Sequence, residues 1–375
     1  ISSAYENPYT INADNPASFS FLRLTTYEAG AEGDLHTLRS SNTSYSTGMA
    51  TLSYMNVGIP VGKHVGLCIG LKPLTRVYYN LADTNSRPED TLLGRQVIHS
   101  FSGDGSVNLA YLGGAYQYKG FSIGIQVGYM FGHIDNYGRL INTDTTYSYN
   151  STIAQSTGLG GIYWKAGLLY ETKLYRNYTL HVGGTLILQQ SLQAKKNEYW
   201  IASYSAVDTF ISDTTYNAQA TRGTIVMPMT YSFGVQLAKN DKWMVGVDYT
   251  GTKWSQFRNF GQVDSALAGS NYRVSLGGEV TPDATSLHSF WSRVTYRVGF
   301  YYGTSNIYLN NTTQNQYGLT FGGSLPFHRS TDHIHFAFDF GKLGTTSNSL
   351  LSDNYVKFSI GISLNDKWFI PTKYD

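Results

Sequence analysis

The chain has 375 residues, a formal net charge of +2 and only 14 % charged residues, against about a quarter in soluble domains. So small a charge gives no ground for a nucleic-acid partner, and the lack of any run of roughly 18 apolar residues excludes a helical membrane protein. Glycine (39), tyrosine (31) and phenylalanine (18) are abundant while mean hydropathy is −0.25; a transmembrane β-barrel reconciles these, because polar lumen residues alternate with lipid-facing ones.

The chain opens at Ile1 with no basic or apolar leader, and the expectation is that a signal peptide has been removed. Its first 20 residues do not alternate. Asn7-Pro8, Asn12 and Asp14-Asn15-Pro16-Ala17 are turn formers, and proline cannot serve a central ladder. Fourteen strands are then expected, at about 22–38, 44–59, 63–80, 104–118, 120–135, 159–173, 177–193, 225–238, 241–254, 270–281, 290–303, 315–327, 333–345 and 354–366. In the fifth, Phe121, Ile123, Ile125, Val127 and Tyr129 oppose Ser122, Gly124, Gln126 and Gly128. In the last, Val356, Phe358, Ile360, Ile362 and Leu364 oppose Tyr355, Lys357, Ser359, Gly361 and Ser363. Successive side chains of a strand face opposite sides, so one face meets lipid and the other a polar lumen.

The connections alternate in length. Pro60-Val61-Gly62, Lys119, Leu174-Tyr175-Arg176 and Lys239-Asn240 are tight, whereas 81–103, 136–158, 194–224 and 255–269 are long and polar. Short periplasmic turns and long extracellular loops give that pattern and put both termini in the periplasm. A further strand-like stretch at 92–101 would make the count odd, so it is assigned to an extracellular loop. Aromatics such as Tyr78, Tyr129, Trp164, Tyr170, Trp243 and Trp368 gather near strand ends, where amphipathic rings form girdles at the headgroups. The single cysteine, Cys68, sits in an alternating run and reads as a packed strand residue.

Asn15-Pro16-Ala17 in a short segment before the first strand resembles the hatch of the FadL family. The ending Leu364-Asn365-Asp366-Lys367-Trp368-Phe369, with Lys373-Tyr374-Asp375, is similar to that of its Bacteroidota members. The resemblance implies an all-β, 14-stranded antiparallel transmembrane barrel in the bacterial outer membrane. Residues 1–20 would be a lumenal hatch, 21–369 the barrel and 370–375 a periplasmic tail. It further implies passive passage of fatty-acid-like hydrophobic small molecules, with the hatch shifting around Asn15, Pro16 and Ala17. Family members open the wall at a kinked third strand. Gly70-Leu71-Lys72-Pro73 would supply such a kink here, since proline removes a ladder donor, and a plain bulge is the competing reading. The hatch is shorter than in the enterobacterial members, and residues follow the terminal aromatic.

Lumen-facing charges gather in the later strands, with Arg273, Arg293, Arg297, His335 and Asp339 as the core of the group. They can pair as structural ladders or bind a ligand headgroup. His333 and His335 share a face, but one such pair is weak ground for a metal site, and no metal or cofactor is expected. Gly120-Phe121-Ser122-Ile123-Gly124 matches Gly-x-Ser-x-Gly only inside the alternating fifth strand, not at a strand-to-helix elbow, and no His-Glu-x-x-His is present, so no enzyme is expected. A reading of another class stays open: an accessory or scaffold barrel in a larger outer-membrane complex for barrel assembly or protein secretion. Loop aromatics Tyr199, Trp200, Phe210 and Tyr216 suit a partner as well as a ligand.

Overall fold

A computed structural model describes residues 1–40, 44–83, 97–142, 147–175, 177–206, 209–239, 242–267, 269–309, 312–327, 330–346 and 351–368. The expected tail at 370–375, Phe369, Arg176 and Asn240 lie outside the described residues. The strands are β1 (Thr25–Arg39), β2 (Ser44–Val61), β3 (Val65–Asp83), β4 (Val97–Tyr118), β5 (Phe121–Asn142), β6 (Tyr147–Lys173), β7 (Tyr178–Ile187), β8 (Gln190–Ala206) and β9 (Thr209–Met227). They continue with β10 (Thr230–Lys239), β11 (Trp243–Thr252), β12 (Arg258–Asn259), β13 (Asn271–Val280), β14 (Thr295–Leu309), β15 (Thr312–Pro326), β16 (His333–Gly344) and β17 (Ser352–Asp366).

Fourteen of these close into an antiparallel barrel. β7 pairs with β10 from Tyr178↔Lys239 to Ile187↔Thr230, which leaves β8 and β9 as an inserted hairpin. The two-residue β12 lies against β9. β1 pairs with β17 along its whole length, Thr25↔Asp366 to Arg39↔Ser352, and shuts the ring. The alternation positions every wall residue: Phe121, Ile123, Ile125, Val127 and Tyr129 are exposed outward, while Ser122 and Gln126 are buried at 2 % and 0 % exposure. Ring pairs Tyr27–Trp368, Phe121–Tyr170 and Tyr178–Trp243 decorate the short-turn end, as an interfacial girdle would.

Several boundaries differ from the sequence reading. The expected loop 194–224 is folded as the β8–β9 hairpin, and β8 extends the sheet by pairing with the upper part of β6, Tyr147↔Ala206 to Gly160↔Gln193. The loop 136–158 is likewise largely strand, in β5 and β6. Val97–Phe101, part of the stretch assigned to a loop, begins β4; residues 92–96 lie outside the described set. Arg293 is corrected as well. It ends a helical turn, α1 (Phe290–Arg293), capped by Ser289, whose hydroxyl accepts from the Ser292 N–H. The local cap overrides the strand period, so β14 starts only at Thr295 and Arg293 sits in the turn before it rather than on a wall strand.

The short-turn end is expected to face the periplasm. Lys63, in the β2–β3 turn, and Asp213, on β9, are both exposed at opposite ends of the molecule. An impermeant maleimide applied to intact cells should label Asp213→Cys and spare Lys63→Cys. The opposite pattern would invert the topology.

Candidate functional site

The segment before β1 fills one side of the lumen. Its centre is a 3₁₀ turn, η1 (Pro16–Phe21), every residue of which is buried. The sequence dictates the turn locally. Asn15 caps it, accepting from the Ala17 N–H at 3.0 Å, and Pro16 occupies the first turn, where a missing N–H costs nothing. The same Asn15 side chain donates to the wall at the Leu168 carbonyl, 3.1 Å away. Ser122 on β5 donates to the Ala17 carbonyl at 2.7 Å. The expected hatch residues Asn15, Pro16 and Ala17 are therefore brought together, as a clamp between turn and wall.

The wall receives them on glycines. A Cβ at Gly66 would collide with the Phe19 carbonyl, one at Gly124 with the Pro16–Ala17 backbone, and one at Gly167 with the Asn15 side chain and Pro16. Phe19, fully buried, packs in one cluster with Cys68, Leu109, Tyr111 and Met130. Burying one such ring is worth about 1.5–3 kcal/mol. The sequence reading missed this seat: glycines recur on the lumen faces of β3, β5 and β6, but their pattern does not say what they receive.

Charge completes the fastening. Lys165 donates to the Asp14 carbonyl at 3.1 Å, and Lys72 lies 3.4 Å from the Asp14 carboxylate. These ammonium groups, Lys72 foremost, hold the Asp14 carboxyl down to about 2. The Asp14 side chain is 62 % open to lumen space, so the pair is worth little beyond positioning.

The polar cluster separates into two groups. One is a belt near the short-turn end. Arg297 donates to Glu279 at 2.9 Å and to Ser324 at 2.6 Å, and Ser324 hydrogen-bonds His335 Nδ1 at 2.6 Å. His335 Nε2 meets Ser363 at 2.8 Å, and Ser363 donates to Glu28. Glu28 accepts from the Ile11 N–H of the hatch at 2.9 Å, so the belt joins six strands to the plug. The second group lies farther up: Arg273 stacks 3.8 Å over the Tyr301 ring, and the Tyr301 hydroxyl donates to Asp339 and contacts that of Tyr355. Both groups pair internally, as ladders do. Both ring nitrogens of His335 are engaged in the belt.

Between hatch and belt is a cavity of about 610 Å³, bordered by Tyr5, Asp14, Lys72, Glu279, Arg297 and His335. Ser53 and Tyr54 also border it, at the level where β2 and β3 part. The Gly70–Pro73 segment does not break β3, which runs unbroken from Val65 to Asp83. Its ladder to β4 shifts register between Pro73 and Thr75, leaving Leu74 as a bulge, and its ladder to β2 stops at Leu71. Gly70 itself leaves room for the Tyr111 ring, whose hydroxyl donates to Asn56 at 2.6 Å.

Residues 2–375 match a family model described as BamG. No curated protein matches the chain. Among solved structures, the Ralstonia pickettii toluene transporter TbuX is similar at a TM-score of 0.60 and 15 % identity, over 94 % of this chain and 92 % of that one. The Pseudomonas putida toluene transporter TodX is similar at 0.61 and 15 %, over 98 % and 95 %. A Pseudomonas aeruginosa FadL homologue gives 0.55 and 10 %, over 97 % and 95 %. At such identities the shared property is the fold: a fourteen-strand outer-membrane barrel of the FadL type.

Proposed function

The chain belongs to the BamG family, and on that premise we propose that it is a non-enzymatic accessory barrel within an outer-membrane complex that assembles barrels, as the family's name suggests. The observation that carries this reading is the match over residues 2–375. The interior supports it. A hatch seated on glycines, clamped at Asn15 and Ser122 and tied at Ile11 to a six-strand belt, is fastened to the wall at several points, as suits a scaffold.

A second reading is favoured by one observation. The cavity of about 610 Å³ reaches Ser53 and Lys72, at the foot of the β2–β3 split, and so offers hydrophobic small molecules a sideways route past Gly70 and Pro73 into lipid. Depletion of the chain separates the two. The accessory reading expects the folded fraction of other outer-membrane barrels to fall while uptake of a hydrophobic probe is unchanged. Normal barrel levels with lost uptake would select the conduit.

A further inference from the structure

Among the described residues, two strand edges in the wall, β2 over 44–54 and β3 over 72–82, have no ladder partner. β2 and β3 pair only from Val61↔Val65 up to Met55↔Leu71. Above that level, residues 44–54 hydrogen-bond along β1 as far as Arg39↔Ser44, and residues 72–83 along β4 as far as Asp83↔His99. The strands have not frayed, because each keeps an intact ladder on its far side. They part where two bulges face each other: Ser53 is the extra residue on β2 opposite Gly30/Ala31, and Leu74 the extra residue on β3 next to Pro73. Bulges bend and twist the strand that carries them.

One side chain crosses the slot. The Arg76 guanidinium on β3 donates to the Leu52 carbonyl on β2 and, at 3.1 Å, to Glu32 on β1; Ser53 donates to the other Glu32 oxygen at 2.9 Å. A guanidinium thus meets an acceptor that a backbone N–H would meet in a continuous sheet. By the strand period, Gly48, Ala50 and Leu52 turn their backbone groups toward the slot. Where these edges meet lipid, acyl chains offer them no hydrogen-bonding group, whereas an added strand can satisfy both at once.

We propose that this slot is a strand acceptor: an extended segment of a partner polypeptide enters between β2 and β3, pairs with both edges, and displaces Arg76 from the Leu52 carbonyl. The segment alternates apolar residues toward lipid with polar ones toward Glu32 and the lumen. The proposal rests on the accessory-subunit reading and specifies where the partner engages.

A photo-crosslinking amino acid at Thr75, in the full chain at native level, tests it against the same probe at the lipid-facing Ile125 on β5, two strands away along the wall. Thr75 should give a polypeptide adduct and Ile125 none. Ala50→Pro, which removes a slot-side N–H on an exposed strand edge, should cut the Thr75 adduct about tenfold while heat-modifiable mobility shows a folded barrel. Arg76→Ala should not reduce it. Lipid adducts alone, an adduct with a second copy of the chain, no adduct, or a polypeptide adduct indifferent to Ala50→Pro would each overturn the proposal. If a stoichiometric partner still co-purifies in those cases, only the slot assignment fails; if none does, the accessory reading fails with it.

Discussion

Gly66→Val and Gly124→Val are expected to make Cys68 reactive. The single cysteine is fully buried in the cluster under Phe19, so it is a built-in reporter of the hatch. A valine at either position drives a methyl into backbone: the Phe19 carbonyl in one case, the Pro16–Ala17 peptide in the other. Backbone cannot swing aside as a flexible side chain would. The barrel ladders do not depend on the added atoms, so relief comes from lifting η1 off the wall. Overpacking costs about 1–3 kcal/mol, which shifts the seated–lifted balance by roughly one to two orders of magnitude. Maleimide labelling of Cys68 in a barrel that still migrates as folded should accelerate by about that much. Labelling as slow as in the parent would mean the glycines do not seat the hatch.

Phe358→Arg and Ile360→Arg are expected to abolish assembly to a large extent. Both side chains point outward from β17, in mid-strand, and are exposed there. Arginine facing lipid near the midplane costs roughly 2–4 kcal/mol. Ser359, between them, lines the lumen cavity, and Ser359→Arg should be milder because its guanidinium enters a polar space. The folded fraction on a heat-modifiability gel measures all three. Equal losses would mean that β17 does not divide lipid from lumen.

The barrel was legible because two different solvents act on the two sides of each strand. Phe121 to Tyr129 show the period undiluted, since lipid selects one face and a packed lumen the other. Where that pressure ends, legibility ends. Residues 210–217 of β9 are exposed on both faces, so their sequence carries no one-sided pattern and reads as loop. The period was carried too far at Arg293, where a serine cap sets a helical turn that alternation cannot register. The hatch was readable at Asn15-Pro16-Ala17 only as turn formers ahead of the first strand and through the family resemblance; the cap that Asn15 makes for η1 belongs to the structure. Its seat was not readable, because a glycine's purpose at position 66 or 124 becomes visible only once η1 lies against it. The belt draws on six strands, from Glu28 to Ser363. The β2–β3 split is a missing relation between two good strand sequences. Neither is written in any one segment.

The central claim, that this barrel works as a complex subunit, is tested most directly by affinity purification from native membranes in mild detergent, with protein stoichiometry measured by mass. A fixed, near-equimolar complex with at least one other outer-membrane protein is the expected result. A lone barrel carrying a hydrophobic molecule beside the hatch, with no stoichiometric partner, would contradict it.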